Sequence, residues 1–294
     1  MEMPDLKDAL LDSIKENVSL KNLNWFKTGG IAKWFFIPKN LEELQFFLQN
    51  KPSNLRIFVL GAGSNLLIDN NNLDLCVIKL TNFNSINMDE DKIFAQGGVL
   101  NLELSKFALK NSIANFEFLS GIPGTIGGGI AMNAGAFGGE FKDIIVKVYA
   151  VDYNGNLHEF SNSEMGFAYR KNSLNENFIF YNAQFKYQSC SVAEINTKLD
   201  YIAQTRQDSQ PKKVFTGGST FANPVGYKAW ELIDKVGLRG YKIGGALFSS
   251  KHCNFIINEN NATFEDIKAL IKEAKNRVKA QFDIDLHTEI KVLE

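Results

Sequence analysis

The stretch GIPGTIGGGIAMNAGAFGG, residues 121–139, constrains what this chain can fold into more than any other. It holds eight of the chain's 23 glycines and no charged residue. A glycine in ordered backbone costs about 0.5–1 kcal/mol relative to alanine. Flexible linkers are also glycine-rich, but they are polar. Here Ile122, Ile126, Ile130, Met132 and Phe137 stand among the glycines. The segment therefore belongs to a folded core, where bare backbone turns sharply or lies against something flat. It predicts a rigid, apolar, donor-lined wall, suited to a diphosphate with aromatic rings at its ends. The competing reading is a glycine-rich packing loop between two sheets.

A second glycine-rich stretch, LGAGSNLL from Leu60, follows the apolar run RIFVL (56–60), which reads as a short buried strand. Bare N–H groups at the end of a strand suit a phosphate, and Ser64 and Asn65 add side-chain donors. Alone, the octamer reads equally well as a tight strand-to-helix turn. It is no dinucleotide fingerprint, because Leu66 stands where the third glycine belongs, and no Gly-Lys-Ser/Thr follows to make a P-loop. Two such loops in one domain favour a dinucleotide ligand.

The totals exclude several classes. At 294 residues, 45% hydrophobic and 22% charged, the totals suit an ordinary soluble protein of two or three domains. Its net charge of −1 supplies no basic field for nucleic acid or anionic lipid. Cys76, Cys190 and Cys253 are odd in number and far apart, which argues against disulfides and zinc and for a reducing compartment. His158, His252 and His287 form no metal-ligand cluster, so no metal is expected. The amphipathic start resembles no signal peptide, and no apolar run is long enough to span a bilayer. A cytoplasmic, monomeric protein is expected, with no nucleic-acid or membrane partner.

Periodicity predicts a helix over 5–16, with Asp5 as N-cap, and another in NLEELQFFLQN, where Asn40 and Glu43 are spaced as a capping box. LCVIKL and KIFAQG read as strands, and NLELSKFALKN as a helix behind Asn101. IIVKVYAVD and LHEF flank Asn154-Gly155, a hairpin signal, and FIFYNAQFKY alternates as a strand. A helix capped by Ser191 and Glu194 ends before Pro211. GYKAWELIDKVG, CNFIIN, a long helix capped by Thr263 and a last strand TEIKVL complete a separate α+β unit. Hairpins among alternating strands and helices favour α+β over a doubly wound sheet.

Taken together and in order, these motifs resemble the UDP-N-acetylenolpyruvoylglucosamine reductases (UDP-N-acetylmuramate dehydrogenases). The resemblance runs from WFKTGG at Trp25 to HTEIKVLE at the end and includes FAYRKNS, QPKKVFTGGSTFANP and GLRGYKIGGALFSSKHCNFIIN. It implies an FAD-binding domain of the vanillyl-alcohol-oxidase (PCMH) type over 1–190, in lobes of roughly 1–80 and 81–190. A smaller α+β substrate-binding domain follows over 191–294. FAD is expected without a covalent bond, NADPH as reductant and a UDP-sugar as substrate. The alternative is a sugar or lactone oxidase on the same flavin fold.

The implied reaction turns an enolpyruvyl ether into a lactyl ether. It needs a hydride donor, a group facing the substrate carboxylate, and a proton donor. By resemblance, Arg170 in FAYRKNS faces the carboxylate, which a guanidinium grips as a fork at any working pH. Glu289 in HTEIKVLE has to hold a proton beside the developing enolate. Ser219 in TGGSTFANP donates the proton to carbon, which a serine does only where neighbours stabilise its alkoxide. Tyr169, Asn223 and His252 match substrate-binding positions. Gly61, Gly63, Ser64, Asn65, Leu66, Gly121, Gly124, Thr125, Gly127, Gly128, Asn133, Gly135 and Ala136 match cofactor-binding ones. Lys235, Arg239, Lys242, Lys251 and His252 supply candidates for the substrate diphosphate. Two departures stand out: Ala222 replaces the usual lysine, and Ser173 comes one position late, leaving its role open. The segment from Tyr169 to Gln188 is short, as in the subclass without an inserted tyrosine loop.

Overall fold

The computed structural model describes residues 1–174 and 177–294. The chain is α+β and divides into two compact units. The first comprises Met1–Asn17, Lys33–Ala62 and Asp74–Thr205, and the second Val18–Ala32, Gly63–Leu73 and Arg206–Glu294.

The first unit has two cores. One lies under a four-stranded sheet in the order Ile14–Ser19, Ile31–Phe36, Leu73–Ile78, Ile57–Val59. The helix Leu41–Asn50 buries Leu44, Phe47 and Leu48 there, and Phe47 stacks on Phe36. The other lies under an antiparallel five-stranded sheet in the order Leu157–Ser161, Ile145–Asp152, Phe178–Phe185, Lys92–Gln96, Ile86–Asp89. Asn154-Gly155 lies in the connection of its first hairpin, where Asp152 accepts from Asn154 N and Asn156 N. Asp152 also meets His158, and burial of its carboxyl is outweighed by the bonds from Asn156 and His158, which hold it well below the usual carboxylate range.

In the second unit the helices Ala229–Lys235 and Phe264–Phe282 enclose a core against the strands Lys242–Ile243, Ala246–Phe248 and Ile256–Asn258. The long helix buries Phe264, Ile267, Leu270, Ile271, Ala274 and Val278, a spacing of three and four. Thr263 caps it by accepting from Asp266 N.

Four expectations change. The helix over 5–16 is shorter, Met3–Ala9, and Ile14 opens a strand instead. Its N-cap is Glu2, with Asp5 one turn inside, because Pro4 takes the first turn. Asn101 is the first residue of its helix rather than the cap, and its amide reaches Ile122 O. The units are also not contiguous in sequence, and the division falls inside the helix Val192–Ser209. Residues 63–73 join the C-terminal unit because Leu66–Ile68 pairs in parallel with Lys291–Leu293. Residues 18–32 join it through Phe26, buried in its core. Among the described residues, no helix is long and apolar enough to cross a membrane.

Candidate active site

The strand Ile57–Val59 makes its last ladder bond through Leu60 N to Ile78 O. Beyond it, the backbone N–H groups of Gly61, Ala62 and Gly63 find no backbone acceptor among the described residues. Three unspent donors in succession are what an anion requires. Gly61 is required by close approach: a Cβ there would lie 2.8 Å from Thr125 Oγ1, on the other glycine-rich segment. The rest of the octamer is used differently. Asn65 sends its amide to Glu289 O at 3.1 Å and accepts from Lys291 N at 3.0 Å. Leu66 is buried in the strand Leu66–Ile68. Asn65 and Leu66 are thus committed to the second unit's own structure.

In the glycine-rich segment 121–139, the donors at the start of the helix turn inward. Thr125 caps the short helix Ile126–Ala131. Ile126 N donates to Val99 O, Gly127 N to Gly97 O and Gly128 N to Thr125 Oγ1. The first-turn donors are therefore spent inside the protein. The glycines chiefly admit phenylalanine rings: a Cβ on Gly129 would stand 2.2 Å from Phe141 Cζ, and Gly121 and Gly139 meet Phe137 and Phe118 in the same way. Gly128 is open, with only Thr125 Oγ1 at 3.4 Å. The packing reading explains most of the segment. The open face at Gly128 and the free donors at 61–63 are what fit a flavin dinucleotide.

Past the helix the chain folds into a small hairpin, Gly135–Ala136 against Gly139–Glu140. It borders an open cavity of about 390 Å³, also lined by Lys142, Tyr169 and Arg170. Arg170 sits in a tight turn in which Ala168 and Lys171 exchange backbone bonds of 2.9 and 3.2 Å. Its φ is +56°, a left-handed conformation that costs a non-glycine residue roughly 1–2 kcal/mol. Its guanidinium carbon lies 5.0 Å from the centroid of the exposed Tyr169 ring.

Asn133, expected at a cofactor-binding position, is tied into the fold. It is fully buried, its amide donates to Glu140 Oε2 at 2.9 Å and Ala168 O at 3.0 Å, and its oxygen accepts from Lys142 N at 3.0 Å. Glu140 also pairs with Lys142 Nζ at 2.9 Å. Although burial opposes it, the bonds from Lys142 and Asn133 and the charge of Arg170 keep the Glu140 carboxyl below its ordinary range. Ser173 closes the loop through Met165 O, a structural role.

In the second unit, Ser219–Ala222 is clamped on both sides. On one side Thr220 N donates to Asn254 O, and the Asn254 side chain exchanges bonds with Phe221 N and O. On the other, Glu289 N donates to Thr220 O at 2.8 Å and Ala222 N to His287 O at 2.9 Å. Ser219 and Glu289, far apart in sequence, thus lie on adjacent backbone segments. Before Ser219, Gly217 packs its bare face on Phe26, and Gly218 has φ +81°. Buried Thr216 and Thr220 carry hydroxyls without a partner among the described residues.

Asn223 is exposed, and its oxygen accepts from Ala229 N at the start of a helix. His252 packs between Trp230 and Phe255 and accepts at Nδ1 from Asn254 N. Burial, with the charge of Arg239, pushes its pKa down. The basic cluster is largely spent: Arg239 forks onto Asp234, Lys242 pairs with Glu259, and Lys251 meets Gln207 O. The site contributions of Asn254, Asn172 and Glu140 were missed from sequence. Asn172 and Asn254 lie inside the motifs already singled out, which was the available signal, and Glu140 directly follows the glycine-rich segment. The bonds of Asn254 show themselves only once its segments pair.

Residues 32–161 match the family model "FAD binding domain", and residues 210–293 match "UDP-N-acetylenolpyruvoylglucosamine reductase, C-terminal domain". The UDP-N-acetylenolpyruvoylglucosamine reductase of Rickettsia massiliae (strain Mtu5) is 48% identical, over 94% of each chain. That of Rickettsia typhi (strain ATCC VR-144 / Wilmington) is 47% identical over the same shares. A crystal structure of the Thermus caldophilus enzyme, 30% identical, superposes with a TM-score of 0.84 over 96% of this chain and 100% of that one. Likeness at this level, along nearly the whole length and in both matched regions, means that the chain belongs to the UDP-N-acetylenolpyruvoylglucosamine reductase family.

Proposed function

We propose that this protein reduces UDP-N-acetylglucosamine enolpyruvate to UDP-N-acetylmuramate, a step in making peptidoglycan precursors, with NADPH as reductant and Ser219 as proton donor. The first unit chiefly serves FAD and the second the substrate, in a cytoplasmic monomer. The observation that carries the reading is the clamp that sets Ser219 beside the Glu289 backbone.

The chemistry that FAD supplies when bound is delivery of a hydride to the terminal methylene carbon of the enolpyruvyl ether. The free N–H groups at Gly61–Gly63 and the open face at Gly128 would hold it. Arg170 takes the substrate carboxylate in a fork and offsets the charge that builds as the enolate forms. Glu289 shares that charge by hydrogen bonding. Ser219 passes its proton to the neighbouring carbon, so that one hydride and one proton saturate the double bond. Tyr169, Asn223 and His252 contact the substrate. Lys235, which makes no ion pair among the described residues, is the cation left for the diphosphate.

Ser219→Ala tests this by stopped flow. Bleaching of the yellow colour by NADPH should stay near wild type, since that half-reaction needs no proton at the substrate carbon. Reoxidation by the enolpyruvyl substrate should slow about 10²–10⁴-fold, the usual worth of a general acid. Equal losses in both half-reactions, or none in either, remove Ser219 from the mechanism. Fast reoxidation of the wild-type protein by oxygen alone, with no response to the UDP-sugar, would make it an oxidase instead.

A further inference from the structure

We propose that Asn133 and Asn172 are positioning residues, which tether the left-handed Arg170 turn to the end of the glycine helix and so aim its guanidinium at the substrate carboxylate. The inference rests on the role given to Arg170 above.

The turn's own closure is the pair of backbone bonds between Ala168 and Lys171. Arg170 at φ +56° is a conformation that its side chain disfavours, and such strain persists only where the surroundings over-determine it. Two asparagines do so. Asn133 gives one amide hydrogen to Ala168 O at 3.0 Å. Asn172 gives an amide hydrogen to Ala131 O, also at 3.0 Å. Ala131 is the last residue of the helix Ile126–Ala131, where carbonyls lack partners within the helix. The turn is thereby fastened from both directions to residues 131–133.

Each polar atom of the Asn133 side chain has a partner inside the protein. Both amide hydrogens and the carbonyl oxygen are engaged, and the side chain is fully buried. Its second hydrogen goes to Glu140, whose carboxylate feels the Arg170 charge across the cavity that both residues line. The same asparagine thus holds the backbone of the turn and a carboxylate that lines the same cavity as the guanidinium. Asp at this position keeps the shape but loses both donors, and it adds a negative charge beside Glu140.

The experiment compares Asn172→Ala, Asn133→Asp, Arg170→Ala and the double variant Asn172→Ala/Arg170→Ala as FAD-loaded enzymes. Asn133 is buried, so the half-buried Asn172 keeps the test independent of folding at 133. Asn172→Ala should lower kcat/KM for the enolpyruvyl substrate about 10²-fold, the scale of a small misplacement of a catalytic group. Flavin content, flavin reduction by NADPH and affinity for UDP-N-acetylglucosamine, which has no carboxylate, should be unchanged. The double variant should be no worse than Arg170→Ala alone. Losses that multiply in the double variant, or an Asn172→Ala enzyme with less flavin and slowed reduction by NADPH, overturn the proposal. An Arg170→Ala enzyme at wild-type activity overturns the assigned role of Arg170 itself and the tether with it.

Discussion

At the scale of single residues, the site is set by backbone bonds before any side chain acts. Glu289 is held at both ends of its peptide unit, donating to Thr220 O and accepting from the Asn65 amide. Glu289→Gln leaves those bonds intact and keeps a donor, but removes the acid. We therefore expect kcat and kcat/KM to fall together, as for an interaction made only in the transition state. A raised KM at unchanged kcat would make Glu289 a binding residue. His252 carries a pH dependence. Burial foremost, and then the Arg239 charge, hold its folded pKa below the ordinary 6.5. Just below pH 6.5 the unfolded chain therefore binds more protons than the folded one. Stability from this group is present above about pH 6.5 and is lost as pH falls towards the folded value. In urea titrations from pH 5 to 7.5, His252→Gln should flatten the rise of stability with pH. An unchanged slope would place its source elsewhere.

At the scale of elements, the glycine helix shows two uses of the same residue type one position apart. Gly129 packs where a Cβ would collide with the Phe141 ring at 2.2 Å, whereas Gly128 has room for one. Gly129→Ala should destabilise by about 1–3 kcal/mol, the usual cost of overpacking. Gly128→Ala removes glycine's helix penalty of about 1 kcal/mol, so the flavin-free protein should hold or gain stability, while FAD affinity drops. Thermal melts with and without FAD check both; equal melting losses in the two variants would contradict the assignment. The periodicity of Leu41–Asn50 and Phe264–Phe282 and their caps at Asn40 and Thr263 were legible beforehand, because each depends on neighbours three or four residues away. The start of the chain was not. Leu6 and Ile14 fit a helical stripe, yet Ile14 is drawn into a strand by pairing with Ile31–Phe36, which local sequence does not record.

At the scale of the whole molecule, FAD is expected to be held without a covalent bond. No histidine precedes His158, and that ring is bonded to Asp152 and packed against Phe160 and Phe178. Cys76 is buried within its strand, and burial pushes its thiol far up from the usual range. Acid precipitation should release all the yellow colour into the supernatant; colour retained in the pellet contradicts this. By itself the sequence determined the α+β class, the family and the motifs that carry Arg170, Ser219 and Glu289, because these are local patterns of residue type and order. The tertiary structure alone decided which donors remain free. Gly127 looked as available to a phosphate as Gly61, until Gly97 O took its N–H. Asn65 and Asn133 read as ligand contacts in the sequence, while the fold gives one amide hydrogen of Asn65 to Glu289 O and both of Asn133 to Glu140 and Ala168 O. A hydrogen bond is spent on whichever acceptor folding brings within about 3 Å, and those acceptors lie seven to 224 residues away along the chain.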